Sequence, residues 1–307
     1  MSTRFFRSRI AGVSRAILQA LQRPAGLVIL LCSFQCYASG GGALDSAEGA
    51  TAQDPVQEEA SLWRLLDRQY LLDDGIDLPE QWGVAAFYSQ TQSELPIGSL
   101  KFALKEGEPL ESSPIVSMDD LDNKITNTGI ILDYWVLPML DLYTILGYSD
   151  GKMNTAVNVD AENFPKQPIG FKFTGTSYAG GATLVTAYKQ AILIFDYNYM
   201  LLDTDVYEKK IPVSNITVRA GWNFGQKKFL PKNAWVSYIT TEFEGTFDLQ
   251  AESSDLTDTV FLEFEVDKYS TWAMGAQWDL AKHYTLIAEY GFGTVDGITF
   301  ALNYRWE

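Results

Sequence analysis

The sequence predicts an all-β fold, a transmembrane antiparallel up-and-down β-barrel of about ten strands, with about twelve as the alternative count. Three observations carry this. From Trp82 onward, apolar residues alternate with polar ones in segments near the ~9–11 residues that a tilted strand needs to cross a bilayer. The apolar faces of these segments end in Trp and Tyr. The connections between them alternate short and long. Composition allows this reading. Of 307 residues, 47% are hydrophobic and 20% charged, and the mean hydropathy is −0.06. That is too apolar for a disordered chain and too dilute for a helical membrane bundle, whereas a barrel dilutes its apolar residues by alternation. Aromatics at 13% and 24 glycines lean the same way. A net charge of −16 excludes nucleic acid as a partner, because a polyphosphate needs a basic surface.

The first 38 residues read as a secretory signal. They hold Arg4, Arg7, Arg9, Arg15 and Arg23 and no acid, then an apolar run from Ala25 to Phe34, then Cys36-Tyr37-Ala38 as a small-x-small cleavage pattern. The apolar run is too short to span ~30 Å of hydrocarbon. Removing these five arginines from 23 basic residues leaves 18 against 39 acidic ones, a net charge of −21. Cys32 and Cys36 leave with the signal, so no disulfide or thiolate site is expected in the remainder. Residues 39–81 are expected to be a flexible linker followed by a short amphipathic helix on the periplasmic side. Leu62, Leu65, Leu66 and Gln69 or Tyr70 share its apolar face, and Gly75 stops it. This helix packs near the barrel mouth or plugs it.

Residues 82–307 form the expected barrel. The clearest strands carry Ile130 to Val136, Leu193 to Leu201, Ile216 to Phe224, Trp272 to Leu280, Tyr284 to Phe292 and Ile298 to Trp306 on their apolar faces. Weaker strands lie at 82–92, 140–149, 178–188 and 234–244. Trp222, Trp272, Trp278, Tyr284, Tyr290, Tyr304 and Trp306 are the expected aromatic girdle residues. Short turns are expected near Pro138, Lys189 and Lys282, with a medium one from Gly225 to Asn233. Long loops are expected at 93–126, 150–177, 202–213 and 245–270. Short turns face the periplasm in such barrels. With the C-terminus in the periplasm, parity closes only if 98–105, 169–175 and 258–267 do not cross the membrane separately.

On these residues the chain resembles the Gram-negative outer-membrane β-barrel proteins. The most specific motif is the last strand, Ile298 to Trp306, because family members end on an aromatic residue that the barrel-insertion machinery reads. Here Glu307 follows Trp306. The resemblance is to the broad class and implies outer-membrane lipids and that machinery as partners.

The remaining chemistry points away from catalysis. The single histidine, His283, lies at an expected periplasmic turn, far from an outer active site. No enzyme activity, cofactor or metal site is expected. The polar faces of the strands place Asp133, Asp196, Arg219, Gln277, Glu289, Asn303 and Arg305 in the lumen. These residues form a charge network lining a narrow conduit for small polar solutes or ions. The alternative is a closed barrel that acts as an envelope scaffold or binds a surface partner through acidic outer loops, such as those with Asp119, Asp120 and Asp122, or Asp255 and Asp258.

Overall fold

The computed structural model describes residues 78–95, 97–103, 116–118, 121–159, 167–205, 207–225, 230–243, 247–252 and 259–307. The expected signal, linker and helix over 1–77 lie outside these residues. Among the described residues there are fourteen strands: β1 Trp82–Leu95, β2 Ile97–Ala103, β3 Val116–Met118, β4 Leu121–Leu137, β5 Leu140–Val159, β6 Gln167–Tyr188, β7 Ala191–Thr204, β8 Tyr207–Asn223, β9 Asn233–Phe243, β10 Phe247–Glu252, β11 Thr259–Val266, β12 Tyr269–Ala281, β13 Tyr284–Gly293 and β14 Val295–Trp306.

Ten of them make a closed antiparallel barrel in the order β1-β4-β5-β6-β7-β8-β9-β12-β13-β14, and β14 pairs back with β1. Trp82 is opposite Trp306 on one side and Tyr134 on the other. The seam between the first and last strands is therefore zipped from Trp82 to Ser93, and no edge remains there. The strands are strongly tilted. A row of paired residues that begins at Tyr284, the first position of β13, passes through Leu132 on β4, Gly180 on β6 and Ser214 on β8. It ends at Glu242, near the opposite end of β9. A cross-strand row thus climbs from one mouth to the other, as the stagger of a closed barrel requires.

The side chains alternate strictly. On β7, Ile192, Ile194, Asp196, Asn198, Met200 and Leu202 are buried inward, while Leu193, Phe195, Tyr197 and Tyr199 are exposed outward. Across the barrel the exposed face is apolar, with Ile130, Leu132, Leu142, Leu146, Ile216 and Leu302 among its members. Aromatic clusters bound it. At the short-turn end Trp82 meets Tyr134 at 4.5 Å, and Tyr304 lies 5.0 Å from Tyr284 and 5.7 Å from Trp306. At the opposite end Tyr238 meets Trp272 at 5.0 Å. Trp222 and Tyr290 are exposed outward, and Trp278 is half-buried on the same face.

Turns at 138–139, 189–190 and 282–283, the connection after Asn223 and the strand ends Trp82 and Trp306 all lie at one end. Two expected long loops are corrected. Segment 150–177 is mostly strand, since β5 runs to Val159 and β6 begins at Gln167. Segment 202–213 is a hairpin, with only residues 205 and 206 between β7 and β8. The physical reason is that backbone pairing outlasts the apolar alternation. Past Tyr148 the outward positions become Asp150, Lys152 and Asn154, which solvent accepts, yet the ladder to β4 and β6 continues. The segments excluded by parity behave as required. Residues 169–175 extend β6, while β11 pairs with β10 on one side and β2 on the other in a separate three-stranded sheet.

Leu302 sits between Leu286 and Ala86 on the outer face. Leu302→Arg should lower unfolding stability in a bilayer by about 2–4 kcal/mol, measured by denaturant titration in vesicles, since a cation there faces hydrocarbon. A loss under about 0.5 kcal/mol would place this face elsewhere than in the membrane.

Candidate functional site: the barrel lumen

Four inward glycines lie directly across from an aromatic residue on the neighbouring strand. The pairs are Gly129 with Phe87, Gly151 with Phe173, Gly181 with Tyr143 and Gly275 with Trp235. A Cβ at any of the four would run into that ring. The ring therefore lies flat over the bare backbone, lines the wall and leaves the axis to other side chains.

The inner surface is layered. Toward the long-connection end Ile125, Met153, Phe173, Met200, Leu202 and Val213 are fully buried, with Thr91, Ser93 and Asn123 buried among them. Near the short-turn end Trp135, Val185, Ile192 and Ile194 pack together. Between these lies a polar zone. Ser149 donates to Asn127 at 2.7 Å, and Asn215 links Asn198 (3.0 Å) to Thr241 (2.8 Å). Ser89 and Thr299 share a hydrogen bond of 2.8 Å.

Six buried ionisable side chains occupy the described lumen: Asp133, Asp141, Asp196, Glu289, Arg219 and Arg305. They gather around three centres that act on one another through their charges. Glu289 is the first centre. It accepts from the Trp235 indole Nε1 at 2.6 Å and the Ser237 hydroxyl at 3.2 Å, and its Oε2 lies 3.6 Å from Arg219 Nε. Asp196 is the second. It accepts from the Tyr143 hydroxyl at 2.9 Å and the Thr183 hydroxyl at 2.7 Å. The third lies at the short-turn mouth. Arg305 on β14 is ion-paired with Asp133 on β4, reaching across β1 at Gly83, where any Cβ would meet the Asp133 carboxylate. The same guanidinium lies 5.8 Å from the Trp135 ring centre. Asp141, opposite Trp135, is fully buried beside this group.

The chain before β1 joins this mouth. Arg305 Nη1 donates to the Glu80 carbonyl at 2.8 Å, and His283 Nδ1 lies 2.9 Å from the Glu80 carboxylate. Leu78 and Pro79 are buried. Trp135 N–H also donates to the Gln81 carbonyl, so residues 78–81 of the expected linker and helix segment are tied to the barrel, and His283 serves as a tether at its turn.

All seven expected lumen residues point inward and are buried: Asp133, Asp196, Arg219, Gln277, Glu289, Asn303 and Arg305. Charge interactions link them: Arg219 acts on Asp196 as well as Glu289, and Asp141 faces Asp133, Arg305 and Asp196. Arg219 is joined to Glu289 and Arg305 to Asp133, while Gln277 bonds Asn233 at 3.3 Å. Asp141, Trp235 and Tyr143 were missed. Asp141 was legible from the phase of Leu142, Thr144 and Leu146 on a weak strand. Tyr143 shares the phase of Asp141, and neither it nor Trp235 signals in the sequence the glycine it covers.

A closed antiparallel barrel with an apolar exterior, aromatic borders and a polar interior defines a class: the chain is a transmembrane β-barrel of the outer-membrane type. No protein-family model matches it, and no curated protein does. Among solved structures, it is similar to the outer membrane protein OprG from Pseudomonas aeruginosa, at 10% identity and TM-score 0.41, over 75% of this chain and 98% of that one. It is also similar to the translocator domain of the autotransporter NalP from Neisseria meningitidis, at 10% identity and TM-score 0.40, over 76% of this chain and 92% of that one. A third is the Ralstonia pickettii toluene transporter TbuX, at 9% identity and TM-score 0.35, over 74% and 90%.

Arg219 is the cation beside buried Glu289, with side-chain exposures of 4% and 0%. Arg219→Ala should cost about 3–5 kcal/mol of unfolding free energy, because it leaves a carboxylate buried without its cation. Adding Glu289→Gln should restore most of that loss. A single variant that unfolds at the parent's denaturant midpoint would show that the pair carries no structural burden.

Proposed function

We propose that this protein sits in the outer membrane with its short turns toward the periplasm, and forms a narrow, non-enzymatic conduit for small cations. The carrying observation is the makeup of the lumen. Four carboxylates (Asp133, Asp141, Asp196 and Glu289) face two guanidiniums (Arg219 and Arg305) among the described inward residues. A lumen that needs only filling is served by apolar side chains at lower cost, since buried ion pairs repay their desolvation poorly. Ionisable groups at membrane depth therefore mark a path for water or ions. Their imbalance favours cations over anions. The tight packing sets the scale: a barrel slightly wider than those just filled by side chains leaves room for ions rather than sugars. Membrane lipids surround the apolar band, and β14, ending on Trp306, is the strand offered to the insertion machinery.

A second reading has its own observation. All six charges are at most 9% exposed. A lumen so closed also suits a scaffold that passes nothing and acts through its outer connections.

Planar-bilayer recording on the purified, membrane-inserted protein separates the two. The conduit predicts small discrete current steps and a reversal potential displaced toward the cation in a salt gradient. Asp141→Asn and Glu289→Gln each remove one carboxylate at nearly constant volume and should move that potential toward zero. Arg219→Ala should move it the other way. Reversal potentials identical in all four proteins would remove these side chains from the conduction path. Silence from a protein shown to be inserted would favour the scaffold.

A further inference from the structure

Three lysines stand in one cross-strand row on the outer surface. Lys124 on β4 is directly opposite Lys152 on β5, and Lys152 is directly opposite Lys172 on β6. All three are exposed and on the outward phase of their strands. Opposed residues on paired strands have Cβ atoms only ~5 Å apart, and like charges placed so destabilise the pair. Among the described residues, none of the three forms an ion pair. Acids among the described residues flank the row without pairing to it: Asp150 lies between Thr126 and Thr174 in the row below, where Asp205 accepts from Thr174, and Glu94 is opposite Asp122 in the row above. Asp122 is in turn opposite Asn154. The arrangement is unusual for this chain, which carries 39 acidic residues against 23 basic ones.

The position of the row supplies a reason. It lies at the long-connection end, two outward positions past Tyr148, just where the apolar exterior stops. That is the level of lipid headgroups on that side of a membrane. We propose that the Lys124–Lys152–Lys172 row binds the phosphates of an outer-leaflet lipid that carries more than one phosphate on its headgroup. Three ammonium groups in a fixed line match such a headgroup, and the anion relieves the repulsion between them. The tall β4–β5–β6 wall is what lifts the row to that height. The inference rests on the orientation proposed above, and is independent of whether the lumen conducts.

The test compares the full chain with a variant in which Lys124, Lys152 and Lys172 are all Gln. Thermal unfolding and lipid retention are measured in phosphatidylcholine vesicles, alone or doped with diphosphoryl lipid A, with phosphatidylglycerol, or with inorganic phosphate added. In phosphatidylcholine alone the variant should melt at or above the parent, because repulsion is removed. With diphosphoryl lipid A the order should reverse, and the variant should retain the lipid about tenfold less well. Lys189→Gln with Lys282→Gln, at the other end, should behave as the parent does. Equal lipid retention by parent and triple variant overturns the proposal. So does equal stabilisation by phosphatidylglycerol, which would make the row a general anionic surface, or by inorganic phosphate, which would remove the lipid. A triple variant less stable in phosphatidylcholine alone also overturns it, since the row would then be structural. The conduit reading can fail in the current recordings without touching any of these outcomes.

Discussion

Hydrocarbon offers a backbone amide no partner, so every strand in the membrane must be paired on both edges. That requirement is met here at the junction of β1 with β14, where Trp82 to Ser93 are paired with Trp306 to Val295 without a break. Much else follows from it. Closure of a meander with both ends at one mouth demands an even number of strands. It also demands stagger, and the stagger tilts the strands until a row starting at Tyr284 ends at Glu242. Tilt in turn sets which residues are neighbours inside. Arg305 reaches Asp133 because β14, β1 and β4 are adjacent at that level and Gly83 leaves the space between them.

Closure also creates an interior that must be satisfied. The chain does this in two ways. Flat aromatic rings over glycines fill the wall without consuming the axis. Carboxylates then receive donors from two other strands: Glu289 on β13 is held from β9 by Trp235 and Ser237 and from β8 by Arg219. Such bonds tie together strands far apart in sequence, so the inner network and the outer ladder support each other. An apolar filling would be simpler, and the charges are retained against that alternative.

The sequence shows a strand's phase, and phase was enough to place every expected lumen residue inward and every expected girdle residue outward. It shows the strand count through parity of the connections. What it does not show is register between strands. Gly275 and Trp235 are forty residues apart, and neither one alone signals that a ring covers a bare backbone. The lysine row is hidden for the same reason, since Lys124, Lys152 and Lys172 become neighbours only once β4, β5 and β6 are aligned. The errors in loop length have a related cause. Hydropathy reports where the membrane ends, while pairing decides where the strand ends, and beyond Tyr148 the two part company.

The two mouths consequently carry different chemistry from the same fold. At the short-turn mouth the chain leading into β1 is drawn inward. Arg305 divides its guanidinium between the Glu80 carbonyl and the Asp133 carboxylate, and His283 holds the Glu80 side chain. Any displacement of that leading segment therefore acts on an ion pair inside the lumen. At the opposite mouth the wall rises past the apolar band on one side only, because β5 and β6 are about twice as long as β13, which turns back at Gly293. The high side bears the Lys124–Lys152–Lys172 row, whereas Lys268, just before β12, is paired with Glu242. A barrel is often treated as a symmetric cylinder, yet here unequal strand lengths give it a direction around its axis as well as along it. Lipid and lumen thus meet different surfaces at every face of the molecule.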